Sequence, residues 1–277
     1  MKVLFIFYNF GSGVAFHSGI LMLGALAKRE GHETKLLHFH DELVPDDPDF
    51  YIPMAKEFDP DLIAVTATDF EYQKVNRILK ILKKEFKGTP FLLGGKSAIE
   101  VVTKDISSSP FDIFCIGEAE VPFVELLKKI ELKEDYTNIK SLWFKRDGKI
   151  IKNLLGNNVT NMDSLPFLDY DLFDTEKIIG GKGGWLSLQF SRGCLYNCTY
   201  CYVTADKHQM FNSSKENNKY GMDKYLRNYS VDYSMRLMEH LAEKYNIKVF
   251  NLDDELPQSI EMRKNNGFSW WLNFSDT

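Results

Sequence analysis

The sequence predicts an α/β protein in which a doubly wound parallel sheet is followed by a second, smaller α/β unit. Three observations support this fold class. Short apolar, β-branched runs alternate with amphipathic stretches through the first 130 residues, as in a parallel sheet covered by helices. The chain has 277 residues, enough for two cores. A stretch without periodicity, rich in Asn, Asp, Pro and Gly, separates the two parts.

The first domain, residues 1–135, is predicted to alternate strands and helices. The apolar runs place strands at 2–8, 33–39, 61–67, 90–94 and 112–116. Apolar residues at three- and four-residue steps place helices at 18–30, 71–87, 97–105 and 119–131. Sheets of this kind bind ligands beyond the carboxyl ends of their strands, so the turns after the strands are the candidate binding positions.

Glycines and hydroxyl side chains are concentrated in these turns. The candidate ligand contacts are Thr66, Thr68, Gly94, Gly95, Gly117 and Glu118. Glycine allows a backbone to approach a bulky planar ligand, and threonine can donate a hydrogen bond to it. Any doubly wound fold also needs tight turns after its strands, so a single glycine is weak evidence and the ordered set is stronger.

Residues 136–184 are predicted to form a hairpin and a linker. The hairpin pairs 141–145 with 149–152, because Asp147-Gly148 favours a tight turn between them. From about 154 to 184 the chain loses its periodicity, which is typical of a linker.

The second domain, residues 185–277, is predicted to begin with a strand at 185–190 and to continue through a helix at 231–245 to a strand at 247–252. The helix is amphipathic. Its predicted apolar face consists of Met235, Met238, Leu241 and Ala242. A third strand is expected at 268–274.

Three cysteines, Cys194, Cys198 and Cys201, lie in one loop after the strand at 185–190. Three thiolates can hold three irons of a cubane and leave the fourth iron open for an exogenous chelator. An open metal position is typical of chemistry rather than of structure. The alternative is a zinc knuckle, with His208 or Cys115 as the fourth ligand. Cys115 lies in an apolar strand and is expected in the core.

The spacing Cys-x-x-x-Cys-x-x-Cys, with the aromatic Tyr200 before the last cysteine, resembles the signature of radical S-adenosylmethionine enzymes. The resemblance implies a 4Fe-4S cluster whose open iron binds S-adenosylmethionine, which is cleaved reductively to a 5'-deoxyadenosyl radical. It also implies anaerobic chemistry and an electron donor such as a flavodoxin or ferredoxin. Asp253 and Asp254 match acidic residues near the amino group of bound S-adenosylmethionine, or they are a solvated helix cap. Arg227 matches a basic residue of the same relatives, or it is a surface charge.

The ordered glycines and threonines of the first domain resemble the cobalamin-binding domain that precedes the radical core in one branch of that superfamily. The resemblance implies cobalamin as a cofactor. The Asp-x-His-x-x-Gly element that supplies a histidine to cobalt is absent, and His17 lies near the corresponding turn at a different spacing. We therefore expect no protein imidazole on cobalt.

The radical core of these relatives is a (β/α) partial barrel, and the residues after Cys201 suffice for about three strands. We therefore expect an incomplete barrel, with an exposed edge that favours self-association. Two functions stay open: an enzyme that generates a radical or transfers methyl groups, and a catalytically incomplete module that binds corrinoid and cluster. The small-molecule substrate is not identified by the sequence.

The overall charge argues against other classes of function. The net charge of −5 gives no basic field, so we expect no nucleic-acid partner and disfavour an RNA-modifying enzyme. No run of 18 apolar residues is present, so we expect no membrane span. We expect a cytoplasmic protein, because three clustered thiols suit a reducing compartment better than a disulfide framework.

Overall fold

The computed structural model describes residues 1–10, 13–67, 69–95, 98, 101, 106, 109–194, 196–201, 203–204, 207 and 225–254. They fall into two compact units. The first comprises residues 1–157 and 166–174, and the second comprises the described residues of 158–165 and 175–277. No helix of the described part is long and apolar enough to cross a membrane.

The first unit is built on a seven-stranded, mostly parallel sheet, which confirms the predicted fold class. The strands are β1 (Lys2–Tyr8), β2 (Glu33–Phe39), β3 (Leu62–Thr66), β4 (Phe91–Gly94), β5 (Ile113–Cys115), β6 (Leu142–Arg146) and β7 (Lys149–Lys152). Their order is β2-β1-β3-β4-β5-β6-β7, and the first five are parallel. The order reverses between β1 and β3, and in sheets of this kind the ligand crevice lies at such a switch point.

In the described part of the first unit, four helices cover the sheet. They are α1 (Ser18–Arg29), α2 (Pro48–Phe58), α3 (Asp69–Glu85) and α4 (Glu120–Glu131). β1 is buried on both faces: Leu4 and Ile6 belong to the apolar cluster that includes Tyr51 of α2, whereas the ring of Phe5 lies 6.1 Å from that of Phe123 in α4. Burial on both faces explains why β1 is a continuous apolar run.

The sequence did not predict α2, because prolines at its start and inside it suggest a break. Pro48 stands in the first turn, where a missing N–H costs nothing, and the Asp47 carboxylate caps the helix by accepting from Asp49 N at 3.0 Å. Tyr51 and Ala55 are fully buried. Packing of this face therefore outweighs the interruption at Pro53. Of the helix predicted at 97–105, only Ala98 and Val101 are described, and both are buried.

The predicted hairpin is present as β6 and β7. Asp147 and Gly148 both have positive φ, 51° and 70°, as a two-residue turn of this kind requires. Strand β6 pairs with β5, so the hairpin extends the main sheet antiparallel. The first unit is therefore larger than the 1–135 domain expected from the sequence.

Residues 166–174, within the predicted linker, also belong to the first unit. The Asp169 carboxylate forms an ion pair with Lys28 at 2.8 Å, and Asp169 N donates to Leu21 O at 3.1 Å. Tyr170 and Phe173 are buried. This segment lacks helical periodicity because it packs on α1 through a short 3₁₀ turn, Tyr170–Leu172.

The second unit contains a strand–helix–strand core. Its elements are α5 (Thr175–Gly181), β8 (Trp185–Leu188), β9 (Ser191–Arg192), β10 (Arg227–Asn228), α6 (Val231–Lys244) and β11 (Val249–Leu252). Strands β8 and β11 are parallel, and β9 and β10 are antiparallel. The predicted strand at 268–274 lies outside the described residues.

The buried face of α6 differs from the predicted one. Tyr233, Ser234, Leu237 and Leu241 are buried, and Ala242 is exposed. The stripe 233–237–241 advances by four residues, which places its members on one side of the helix. Tyr233 and Leu237 thus provide core contacts, together with the predicted Leu241. The sequence analysis did not place Tyr233 or Leu237 on the apolar face.

Candidate functional site

The first candidate region is the carboxyl edge of the main sheet, at the switch point between β1 and β3. Thr66 ends β3 and is 7% exposed. Its hydroxyl lies 3.2 Å from His17 Nε2, and His17 Nδ1 accepts from Ile20 N at 3.3 Å. His17 therefore caps α1 with one ring nitrogen and contacts Thr66 with the other. Thr68 lies outside the described residues.

The glycines of this edge differ in whether their backbone conformation favours glycine over other residues. Gly95 has φ +78°, and a Cβ on it would stand 2.7 Å from Thr66 Oγ1. Gly117 has φ +89°. Both conformations favour glycine whatever is bound. At Gly94, by contrast, the nearest described atom to an added Cβ would be Val65 O at 3.9 Å. Among the described residues, a Cβ at Gly94 would therefore make no close contact.

Glu118 and Glu120 follow Gly117 at the start of α4. Glu118 is half-buried and Glu120 is 8% exposed. Cys115, at the end of β5, is 3% exposed, as predicted for a core residue. Burial, with a smaller contribution from Glu120, raises the pKa of the Cys115 thiol to about 12. A thiol held in its neutral form is a poor metal ligand, because metals bind the thiolate.

The second candidate region is the cysteine loop, residues 194–201, which follows β9. Cys194, Cys198 and Cys201 are free and partly exposed. Cys201 N donates to Cys198 O at 3.1 Å, which forms a turn between the last two thiols. Tyr200 is 91% exposed. The three thiols thus lie on a loop that is open to solvent.

Gly193 fixes where the cysteine loop begins. Its φ is +92°, and an added Cβ would stand 2.6 Å from Tyr225 O. Tyr225 precedes β10, which pairs with β9 through Arg227 and Arg192. The close approach of these backbones allows only glycine directly before Cys194.

Lys207 holds the loop from the inside. It is 6% exposed, and its Nζ donates to Tyr196 O at 2.7 Å and to Cys194 O at 3.4 Å. Sequence reasoning missed this residue. A lone lysine in a polar stretch carries no signal that its ammonium is buried.

Asp254 holds the residues that lead into the loop. Its Oδ1 accepts from the backbone N–H groups of Phe190 and Ser191 and from the Ser191 hydroxyl. Burial raises the pKa of the Asp254 carboxyl, and these hydrogen bonds oppose the rise. Its Oδ2 is buried without a hydrogen-bond partner among the described residues. Asp253 is exposed, so the two neighbours differ in their surroundings.

Arg227 is not a surface charge. It is 4% exposed, and its Nη1 donates to Val159 O at 2.8 Å. The alternative of a solvated charge is therefore wrong, and the guanidinium ties β10 to residues 158–165 of the same unit.

The donor set of the second unit fits a 4Fe-4S cluster with one open iron, since the unit contains three cysteines and no fourth. Within the described ranges, no three His, Cys, Asp or Glu side chains are grouped as they would be around one metal ion. A zinc knuckle would need a fourth ligand, and the candidate His208 lies outside the described residues, whereas in a cubane each thiolate binds a different iron.

Sequence comparison relates the first unit to a known family. Residues 12–127 match the family model described as the B12 binding domain. The chain is 26% identical over 185 residues to an uncharacterized methyltransferase of Pyrococcus horikoshii, a match that covers 66% of this chain and 39% of that protein. It is 25% identical over 191 residues to the anaerobic magnesium-protoporphyrin IX monomethyl ester cyclase of a Synechocystis strain, covering 66% of this chain and 37% of the cyclase.

Solved structures extend the likeness in fold over nearly the whole chain. The cobalamin-dependent S-adenosylmethionine radical enzyme OxsB, with aqua-cobalamin and S-adenosylmethionine bound, superposes with a TM-score of 0.69 at 16% identity, covering 95% of this chain and 35% of OxsB. The radical S-adenosylmethionine methyltransferase TsrM from Kitasatospora setae, with cobalamin and a 4Fe-4S cluster bound, gives 0.65 at 16% identity, covering 95% of this chain and 49% of TsrM.

The chain therefore spans less than half the length of each of these proteins. Residues 12–127 thus match the B12 binding domain by sequence, and nearly the whole chain shares its fold with OxsB and TsrM.

Proposed function

We propose that this protein binds cobalamin at the carboxyl edge of its main sheet and a 4Fe-4S cluster with S-adenosylmethionine at its cysteine loop. The observation that supports this most is the cysteine loop itself: three free, partly exposed thiols follow a glycine that the β9–β10 pair requires. When bound, these cofactors supply a 5'-deoxyadenosyl radical or a methyl group. A reducing, cytoplasmic setting suits the free thiols.

The residues of the second unit divide into ligands and supports. Cys194, Cys198 and Cys201 would each bind one iron. Asp253, exposed at the end of β11, is available to the amino group of S-adenosylmethionine, whereas Asp254 Oδ1 is already used by Phe190 and Ser191. An electron donor such as a flavodoxin or ferredoxin would supply the electron.

A second candidate function is a module that binds corrinoid and cluster without turnover. The family match supports it, because that match is to a binding domain and covers residues 12–127 only. Formation of 5'-deoxyadenosine or a methylated product by the purified chain distinguishes the enzyme from the module.

We expect the anaerobically reconstituted protein to hold about one 4Fe-4S cluster per chain. Replacing Cys198 with alanine should abolish the cluster, because the two remaining thiols cannot hold it. Iron and sulfide analysis with the visible absorbance spectrum measures this. Cys115→Ala is the matched control and should leave the cluster in place, since that thiol is buried in the first unit. Stoichiometric tight zinc with no iron-dependent absorbance would contradict the proposal.

For cobalamin we expect Gly94→Val to weaken binding without unfolding the first unit. The added Cβ would meet no described atom closer than 3.9 Å, so the fold tolerates it, and the side chain would occupy the edge that the corrinoid has to approach. We expect the affinity for cobalamin to fall roughly tenfold or more. A tenfold loss of affinity corresponds to about 1.4 kcal/mol. Spectral titration with aqua-cobalamin measures the affinity. Lys149→Val, on the far edge strand β7, serves as control. Equal affinities for Gly94→Val and the parent would rule out this edge as the site.

A further inference from the structure

We infer that Lys207 is a positioning residue for the cysteine loop: its buried ammonium gathers the carbonyl groups of the loop and thereby sets how the three thiols are presented. The inference rests on the proposed function and deepens it. Nothing in the family match, which ends at residue 127, assigns this lysine.

The contacts of Lys207 are to backbone rather than to a ligand. Its Nζ donates to Tyr196 O at 2.7 Å and to Cys194 O at 3.4 Å. Cys194 is the first thiol of the loop, and Tyr196 lies between the first and the second. One cation thus holds two carbonyls of the segment that joins the first and second thiols, those of Cys194 and Tyr196.

Because Lys207 is buried, its ammonium group needs hydrogen-bond acceptors from the protein. An ammonium that is 6% exposed loses most of its hydration, which is costly unless its N–H groups find acceptors. The shorter contact has the length of a charge-assisted hydrogen bond. The loop carbonyls and the ammonium therefore stabilise each other, and removing the cation leaves the carbonyls to find other donors.

The hydrogen bond also orients the following peptide group. Because the peptide is trans and planar, the N–H of Asn197 points away from Lys207 when Tyr196 O points toward it. That N–H belongs to the residue directly before Cys198, and we expect it to lie near the cluster sulfurs. Hydrogen bonds to cluster sulfurs and nearby charge set the reduction potential of iron–sulfur clusters.

Lys207 is thus expected to act in two ways on the same loop. It presents Cys194 and Cys198 in a fixed spacing before the cluster is assembled. It also places a buried positive charge next to a loop that would carry three thiolates, which favours the reduced cluster.

The test compares the full-length chain with Lys207→Met, Lys207→Gln, Lys207→Arg and the control Lys182→Met, all reconstituted anaerobically with iron and sulfide. Lys182 is an exposed lysine of the same unit. Two quantities are measured: the rate at which a chelator removes iron, and the midpoint potential of the cluster by spectroelectrochemistry. Circular dichroism of each apo-protein reports folding separately.

We expect Lys207→Met to lose iron roughly tenfold faster or more and to have a more negative midpoint potential. Lys207→Arg should recover the potential, because it keeps the charge and the donors. If Lys207→Met does not fold, Lys207→Gln decides: it keeps two donors without charge, and its potential should still shift downward. Lys182→Met should match the parent.

The outcomes separate this inference from the proposed function. A parent protein that takes up no cluster overturns the proposed function and the inference together. A parent that holds a cluster, with Lys207→Met or Lys207→Gln unchanged in both iron loss and potential, overturns the inference alone. Unchanged potential with faster iron loss would likewise overturn the electrostatic part.

Discussion

Replacing His38 with phenylalanine should reduce the acid sensitivity of the first unit. His38 lies on β2, is 5% exposed, and has no hydrogen-bond partner for either ring nitrogen among the described residues. Its ring packs 4.9 Å from Phe7 and 5.4 Å from Phe173. A positive charge in this aromatic cluster would be neither hydrated nor paired.

The structure lowers the pKa of His38 to about 4, chiefly through burial and secondarily through His40. The unfolded chain binds a proton near pH 6.5, so its protonation draws the equilibrium toward unfolding. The stability contributed by the neutral ring is fully present above pH 6.5 and is lost as the pH falls toward 4. The loss amounts to about 3 kcal/mol.

Urea unfolding at pH 7.5 and pH 4.5 measures this loss as a fall in the free energy of unfolding. Hydrogen exchange of peptides from β1 and β2 serves as the readout for the first unit. Between these two pH values the free energy of unfolding should fall further in the parent than in His38→Phe. The difference between the two falls should be most of about 3 kcal/mol. The control is His240→Phe, since His240 is exposed on α6 of the second unit. An equal loss in the parent and in His38→Phe would show that another group causes the acid sensitivity.

Strands β1, β3, β4 and β5 of the first unit were predictable because they are buried on both faces. β1 and β2 match their predicted bounds. β3 and β5 are one residue shorter at each end, and β4 begins one residue later than predicted. A continuous apolar run contains this information locally. The helix α2 was not predictable in the same way, since Pro48 and Pro53 weaken its local signal and the burial of Tyr51 depends on the sheet beneath it.

The candidate site was predictable only where its chemistry is local. The cysteine spacing identifies the loop, and the glycines identify the sheet edge. The supports of the loop leave no motif: Lys207 lies 11 residues after Tyr196, whereas Asp254 and Tyr225 are farther along the sequence. Each of them acts through backbone groups that any residue possesses. A carboxylate that accepts main-chain N–H groups leaves no pattern in the residues it contacts. Asp254 was therefore recognised as important, but its hydrogen bonds to Phe190 and Ser191 were not foreseen.

Gly193→Ala should destabilise the second unit and prevent the cysteine loop from retaining a cluster. With φ at +92°, alanine is strained before any contact is considered, and its Cβ would stand 2.6 Å from Tyr225 O and 3.1 Å from Tyr225 Cε1. The first neighbour is backbone, so no side-chain rotation can relieve the contact. Either β9 separates from β10, or Gly193 changes conformation and moves Cys194 with it.

Both responses are costly, and we expect the free energy of unfolding of the second unit to fall by roughly 3 kcal/mol. Urea unfolding of the apo-protein, with hydrogen exchange of peptides from α6, measures the fall, and absorbance after reconstitution measures cluster retention. Gly180→Ala is the matched control, because it lies in helix α5 of the same unit and its Cβ would meet no described atom within 4 Å. That variant should equal or exceed the parent in stability, since alanine favours a helix over glycine. If Gly193→Ala unfolds at the same urea concentration as Gly180→Ala and keeps its cluster, then the close approach at Tyr225 does not determine the shape of the loop.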